Sequence, residues 1–312
     1  MDLPNKILGL HHITAIAGNA RRNFDFYTKV LGQRLVKKTV NFDDPHTYHF
    51  YYGNRNGSPG TILTFFPWEG ITAGRRGAGM VTEFGYSVPE ESLDFWLRRF
   101  KEHNVIYNKP SEKFGEMYLT FLDPDGLKIE LVVTEKDRRE PWVTKEIDDK
   151  VATRGFHNVT LSLHNVERTA ALLTEVFGYS LLAQNVNRFR FVTDAVSDGA
   201  YVDLVEVAGE TSGVNAGGTV HHVAFRVKDD ASQEFVREKL ISKGLQPTPV
   251  IDRNYFHSVY FREPGGVLFE IATDNPGFMV DESEEELGNS LKLPAQYESR
   301  RKEITRALPD IS

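Results

Sequence analysis

The chain has no cysteine among its 312 residues, which excludes disulfides, thiolate metal sites and cysteine nucleophiles together. Any metal it holds is bound by nitrogen and oxygen. A run of about 18 apolar residues, as a membrane-spanning helix needs, is also missing. The opening Met1-Asp2-Leu3-Pro4-Asn5-Lys6 lacks the apolar core of a secretory leader, so cytoplasmic residence without membrane attachment is expected. Basic charge is not in excess: the formal net charge of −7 argues against nucleic acid as a partner. With 40% hydrophobic and 26% charged residues, the remainder is an ordinary globular composition, long enough for two well-buried cores. Homo-oligomerisation stays open.

Against these absences stands a doubled histidine that occurs twice, in Leu10-His11-His12-Ile13-Thr14 and in Val220-His221-His222-Val223-Ala224-Phe225. Neighbours in a strand point to opposite faces, so each pair can send one imidazole inward and keep the other nearby as a support or proton donor. One such pair is more often a hydrogen-bonded core feature than a ligand set. Two pairs on distant, similar strands are what a metal site between two repeats needs.

Related starts recur at Val81-Thr82-Glu83 and Phe156-His157-Asn158, giving four units. Each start leads into an amphipathic helix. Asn19 is placed to cap one burying Phe24, Tyr27 and Leu31 before Gly32, and Asn165 one burying Leu172, Leu173 and Val176 before Gly178. Pro89 leads into Leu93, Trp96 and Phe100, and Asp229 into Phe235 and Leu240. Short strands follow, with closing turns ending at Gly60, Gly126, Gly199 and Gly266. Four residues past these glycines lie Thr64, Glu130, Asp203 and Glu270, three of them acids in hydrophobic strands, where an unpaired carboxylate is costly. The pattern predicts an α+β chain of four βαβββ units. Residues 7–134 hold the first pair, 135–154 a charged linker, 155–274 the second pair and 275–312 a tail, whose acidic run Asp281-Glu282-Ser283-Glu284-Glu285-Glu286 reads as a solvated segment.

Four such units resemble the vicinal oxygen chelate superfamily (the glyoxalase, bleomycin-resistance and dioxygenase fold), in which two units form an open β-barrel around a metal. Two such modules are expected here. The resemblance places ligands on the first and last strands of the units, at positions 12, 83, 158 and 222 and at Thr64, Glu130, Asp203 and Glu270. Histidine occupies the first set only in units one and four. If those two share a barrel, its corners are His12, His222, Glu270 and Thr64, while the other barrel has Glu83, Asn158, Glu130 and Asp203. Sequential pairing of units three and four offers instead Asn158, His222 and Glu270, with His157 one residue out of register. Two histidines and a carboxylate form the facial triad typical of non-haem Fe(II), and the same donors suit Mn(II). A short Thr64 leaves the fourth corner vacant, which favours a dioxygenase over a glyoxalase-type isomerase; its bland reading is a β-branched strand residue.

The segments Gly9 to Thr14, Asp25 to Gly32, Gly217 to Phe225 and Arg262 to Glu270 resemble the bacterial ring-cleaving dioxygenases that open hydroquinones, the chlorohydroquinone dioxygenases and above all the MhqO/MhqA group, over nearly the whole chain. This resemblance implies metal ligands at His12, His222 and Glu270, and catalytic pocket residues at His11, Thr14, His221, Arg253 and Tyr260. It implies an Fe(II)-dependent, extradiol-type enzyme that inserts O2 into the ring of a small aromatic diol, a hydroquinone or catechol, with His221 or His11 moving protons and Arg253 and Tyr260 orienting the ring. The bland alternatives are a surface arginine and a core aromatic. Phe65, Phe66 and Phe256 are expected near a planar, apolar pocket. Two further readings are a glyoxalase-like isomerase and a metal-free protein that binds small aromatics.

Overall fold

Residues 6–311 are described in a computed structural model, so the opening stretch Met1 to Lys6 considered above lies, apart from Lys6, outside the described residues. Unit one contains β1 (Leu10–Ala17), α1 (Ala20–Asp25), β2 (Arg34–Val40), β3 (Tyr48–Gly53) and β4 (Ile62–Pro67). Unit two contains β5 (Met80–Val88), α2 (Leu93–Glu102), β6 (Ile106–Tyr107), β7 (Ser111–Lys113), β8 (Glu116–Leu122) and β9 (Lys128–Val133). Unit three runs through β10 (Phe156–Leu163), α3 (Glu167–Glu175), β11 (Ser180–Asn185), β12 (Arg188–Val192) and β13 (Tyr201–Glu206). Unit four has β14 (Thr219–Val227), α4 (Asp230–Ser242), β15 (Ile251–Asp252), β16 (Phe256–Arg262) and β17 (Leu268–Pro276), and a short α5 (Arg301–Ala307) follows in the tail.

Units one and four share an eight-stranded sheet in the order β15-β16-β17-β14-β1-β4-β3-β2. Units two and three share the other, ordered β11-β12-β13-β10-β5-β9-β8-β6. Neither half of the chain, 7–134 or 155–274, is therefore a barrel on its own, and the sequential pairing of units three and four is ruled out. In each sheet the two opening strands meet antiparallel at a central seam, and each closing strand lies parallel beside its own opening strand.

The seams carry bulges, and these explain the doubled histidines. Along β1 and β14, Leu10 faces Phe225 but His12 faces Ala224; Thr14 faces His222 but Ala15 faces Val220. His11 and His221 are the extra residues. A bulge re-aims side chains and breaks strict alternation, so both rings of a pair reach the same side, with Nδ1 atoms 2.9 Å apart in His11 and His12 and 2.8 Å apart in His221 and His222. The second seam repeats the shift at His157.

Asn19 caps its helix as expected, its side chain accepting from Arg22 N, and Asp229 likewise accepts from Ser232 N at the start of α4. Asn165 instead accepts from Glu167 N ahead of α3, which begins after Val166. The helix of unit one widens into a π turn over Phe26–Val30, which buries Phe26 beside Tyr27 and leaves Phe24 only partly covered. Residues 135–154 are anchored rather than loose: Arg139 donates to the carbonyls of Gly60 and Phe156, Trp96 donates to Val151 O, and Ile147 is buried. The acidic tail is not merely solvated either. Asp281, 2.6 Å from Lys37 Nζ, and Glu282 both pair with that wholly buried ammonium, so a buried charge on β2 holds the strap in place.

Candidate metal centre and its cavity

The register of the first seam decides the site. Glu270 on β17 lies beside Ala224 of β14, which faces His12, and Thr14 sits between His222 and Thr64. Glu270 Oε2 is 3.2 Å from His12 Nε2 and 2.9 Å from His222 Nε2. One ligand atom from each of the three residues falls within 4.8 Å of the others, the only such group of His, Cys, Asp and Glu among the described residues.

The remaining polar atoms of these side chains are already engaged. His12 Nδ1 meets His11, His222 Nδ1 meets His221, and Glu270 Oε1 accepts from Ser258 Oγ at 2.5 Å. His222 Nε2 and Glu270 Oε2 are buried without a hydrogen-bond partner, because their close approach lacks hydrogen-bond geometry. Buried polar atoms are rarely orphaned, and here the free lone pairs converge on one point. That arrangement fits a divalent cation held by two imidazoles and a carboxylate. Burial pushes the Glu270 carboxyl up, but His12 and His222 beside it outweigh burial and hold it well below the usual carboxylate range. Burial, with Glu270 opposing, keeps His222 low and neutral, as a ligand must be.

The open side of the triad gives onto a cavity of about 410 Å³ lined by His12, Thr14, Phe42, His49, Tyr51, Phe66, Trp68, His221, His222, Arg253, Phe256 and Tyr260 among others. Arg253 donates from Nε to Tyr260 Oη at 3.3 Å, and its guanidinium lies over Phe42. Tyr260 is placed by β16 directly opposite Glu270. His221 faces the cavity, and burial, followed by His222 and Arg262, lowers it to about 4. His11 does not line the cavity: its ring is enclosed beside Phe256, and burial followed by His12 lowers it well below the ordinary histidine value. Of the expected aromatics, Phe66 and Phe256 line the cavity, whereas Phe65 packs against Tyr27 and Tyr52 in the core.

The fourth corner adds no further His, Cys, Asp or Glu to the ligand group, and its threonine is engaged with neighbouring side chains. Thr64 Oγ1 donates to Thr14 Oγ1 at 2.9 Å and lies 2.9 Å from His49 Nε2, while His49 Nδ1 is 3.0 Å from Tyr51 Oη. Sequence reasoning passed over His49, Tyr51 and Ser258. The alternation Tyr48-His49-Phe50-Tyr51 on β3 contains the first two as one-face neighbours, and Tyr51 pairs with Thr64 in register.

The equivalent place in the second sheet is filled by the protein's own cations. Arg188 reaches Glu83 at 2.7 Å and Asp203 at 3.2 Å; Arg190 reaches Asp203 at 2.7 Å; Lys128 pairs with Glu83 and Lys113 with Glu130. His157 turns to Asn158 and Glu116, at 3.0 Å from each.

Two seam-linked sheets of βαβββ units, with a buried His-His-Glu group at one seam and a cavity beyond it, define the vicinal oxygen chelate class. The chain belongs to the Glyoxalase/Bleomycin resistance protein/Dioxygenase superfamily, whose family model matches residues 9–131 and 155–271. MhqO of Bacillus subtilis (strain 168), which carries the name of a ring-cleaving dioxygenase, is 45% identical over 306 residues, 98% of this chain and 97% of the relative. A chlorohydroquinone/hydroquinone 1,2-dioxygenase of Sphingobium indicum is 37% identical over 320 residues, 99% and 98% of the two chains. A crystal structure from Bacillus subtilis subsp. subtilis str. 168, described as a dioxygenase, matches with a TM-score of 0.95 at 44% identity over 99% of this chain and 98% of that one. Glyoxalase I of Zea mays, at 19% identity and a TM-score of 0.62 over 86% and 92%, shares the fold.

Proposed function

We propose that the protein is a ring-cleaving dioxygenase that uses Fe(II), or Mn(II) on the same donors, to open a small hydroquinone. The observation that carries this reading is the His12, His222 and Glu270 group, closed by protein on one side and open on the other to an aromatic-lined cavity. The ion would supply a point where a phenol oxygen and dioxygen meet and exchange electrons. Full-length relatives with dioxygenase names support the same reading.

The bond expected to break joins a hydroxyl-bearing ring carbon to its unsubstituted neighbour, as in an extradiol cleavage. Both oxygen atoms of O2 enter the product, so no external reductant is needed. If His12 and His222 bind through Nε2, their Nδ1 atoms carry protons and donate to His11 and His221. The partner rings then hold their own protons on Nε2. His11, enclosed beside Phe256, acts as a strut, while His221 presents its Nε2 proton to the cavity as a hydrogen-bond donor. Burial would pull Arg253 down, but Tyr260 and Glu270 raise it overall, so it stays cationic and anchors an anionic oxygen. Burial, followed by Glu270, pushes Tyr260 up, which keeps its phenol protonated as a donor.

Fe(II)-loaded protein in air is expected to consume O2 with methylhydroquinone and to form a ring-opened product. A glyoxalase-type isomerase would instead convert a thiohemiacetal without oxygen. Activity of that second kind, with no uptake on hydroquinones or catechols, would overturn the proposal.

A further inference from the structure

The polar chain at the fourth corner has one consistent direction. Thr64 spends its only hydroxyl proton on Thr14. It must therefore accept from His49, so that imidazole carries its proton on Nε2. His49 Nδ1 is then bare, and the only proton that can satisfy it is that of the Tyr51 hydroxyl. All four side chains are buried, and the His49 ring is held between Tyr51 at 4.1 Å and Phe66 at 4.3 Å. Thr14 accepts from Thr64, and its own hydroxyl proton has no partner among the described residues, yet Thr14 lines the cavity.

We propose that Tyr51, His49 and Thr64 form a positioning relay that fixes the Thr14 hydroxyl as a hydrogen-bond donor into the cavity, so that this corner selects a substrate oxygen able to accept, such as a phenolate or a quinoid carbonyl. Thr14 is the residue that touches substrate; the other three act through it. The inference rests on the hydroquinone reading for its ligand, but not for the direction of the relay. An oriented donor discriminates because a hydroxyl that must donate there would leave two protons facing each other.

Two measurements test it. Long-range 15N–1H correlation on protein loaded with diamagnetic Zn(II) reads the His49 tautomer: protonation at Nε2 with a bare Nδ1 is expected, and protonation at Nδ1 overturns the relay whatever ligand binds. Anaerobic titration of the Fe(II)-loaded protein with methylhydroquinone reads the donor. Thr14→Val and His49→Leu should each weaken binding by about five- to tenfold, the worth of one buried hydrogen bond. Thr14→Ser should restore it, as should His49→Gln, whose amide can donate to Thr64 and accept from Tyr51. In the double variant Thr14→Val/His49→Leu, the loss should not exceed that of Thr14→Val by more than about twofold, because both changes remove one donor. Losses that multiply would give His49 an independent role and overturn the relay. Should His49→Leu fail to fold, Tyr51→Phe takes its place, with partial weakening of methylhydroquinone binding expected and binding as tight as that of the unaltered protein contradicting the scheme. Methylhydroquinone that fails to bind the unaltered protein counts against the proposed function, whereas equal binding by all variants counts against the relay alone.

Discussion

Each ligand side chain has a second polar atom, and what holds that atom decides how well the first is aimed. Ser258 holds Glu270, and His11 holds His12 from outside the cavity. Ser258→Ala and His11→Ala are therefore expected to leave the triad in place but to weaken metal binding or turnover by about 10- to 100-fold, the usual cost of losing a partner behind a ligand. Metal-competition titrations check the affinity, and an unchanged dissociation constant together with unchanged turnover would remove these residues from the account. At this scale the sequence was informative where a residue type is rare in its surroundings. His12, His222 and Glu270 stand out as polar groups in apolar strands. Ser258 and His49 do not, because a serine or a lone histidine in an alternating strand reads the same whether it faces solvent, core or a ligand.

Bulges, seams and helix caps belong to the scale of elements, and here the sequence was uneven. Four strand–helix–strand units and the acids of their closing strands were legible because turn glycines set a common register. The bulges were not, since an extra residue leaves no mark in a pattern with period two. Nor could charge alone tell that the acids of the second sheet are sealed by Arg188 and its neighbours. Burial pushes Glu83 up, but Lys128 and Arg188 together hold it at about 2. A carboxyl held below its ordinary 4.5 stabilises the folded state fully above that pH, and the stabilisation fades as pH falls toward about 2. Thermal melts between pH 6 and 3 should accordingly show the unaltered protein losing stability with acid. Arg188→Met, which takes one of two cationic partners from both Glu83 and Asp203, should be about 1–2 kcal/mol less stable at neutral pH and show a flatter acid slope. A melting temperature equal to that of the unaltered protein at neutral pH would contradict this role.

For the molecule as a whole, the pairing of units one and four brings residue 12 beside residues 222 and 270, so a bound ion ties the two ends of the repeat array together. Ligand binding to the folded state alone adds about 4 kcal/mol at a thousandfold excess over the dissociation constant. Divalent iron should then raise the melting temperature of the unaltered protein and of His157→Ala, whose ring lies in the other sheet, but not that of His12→Ala. A His12→Ala protein still stabilised by iron would place the metal elsewhere. The central claim is dioxygen insertion at this centre, and labelling under 18O2 tests it most directly. Fe(II)-loaded protein turning over methylhydroquinone should give a ring-opened product carrying both labelled atoms when the product is trapped before exchange with water, and Glu270→Ala should give none. Labelled oxygen absent from the product, or full turnover by Glu270→Ala, would contradict the account.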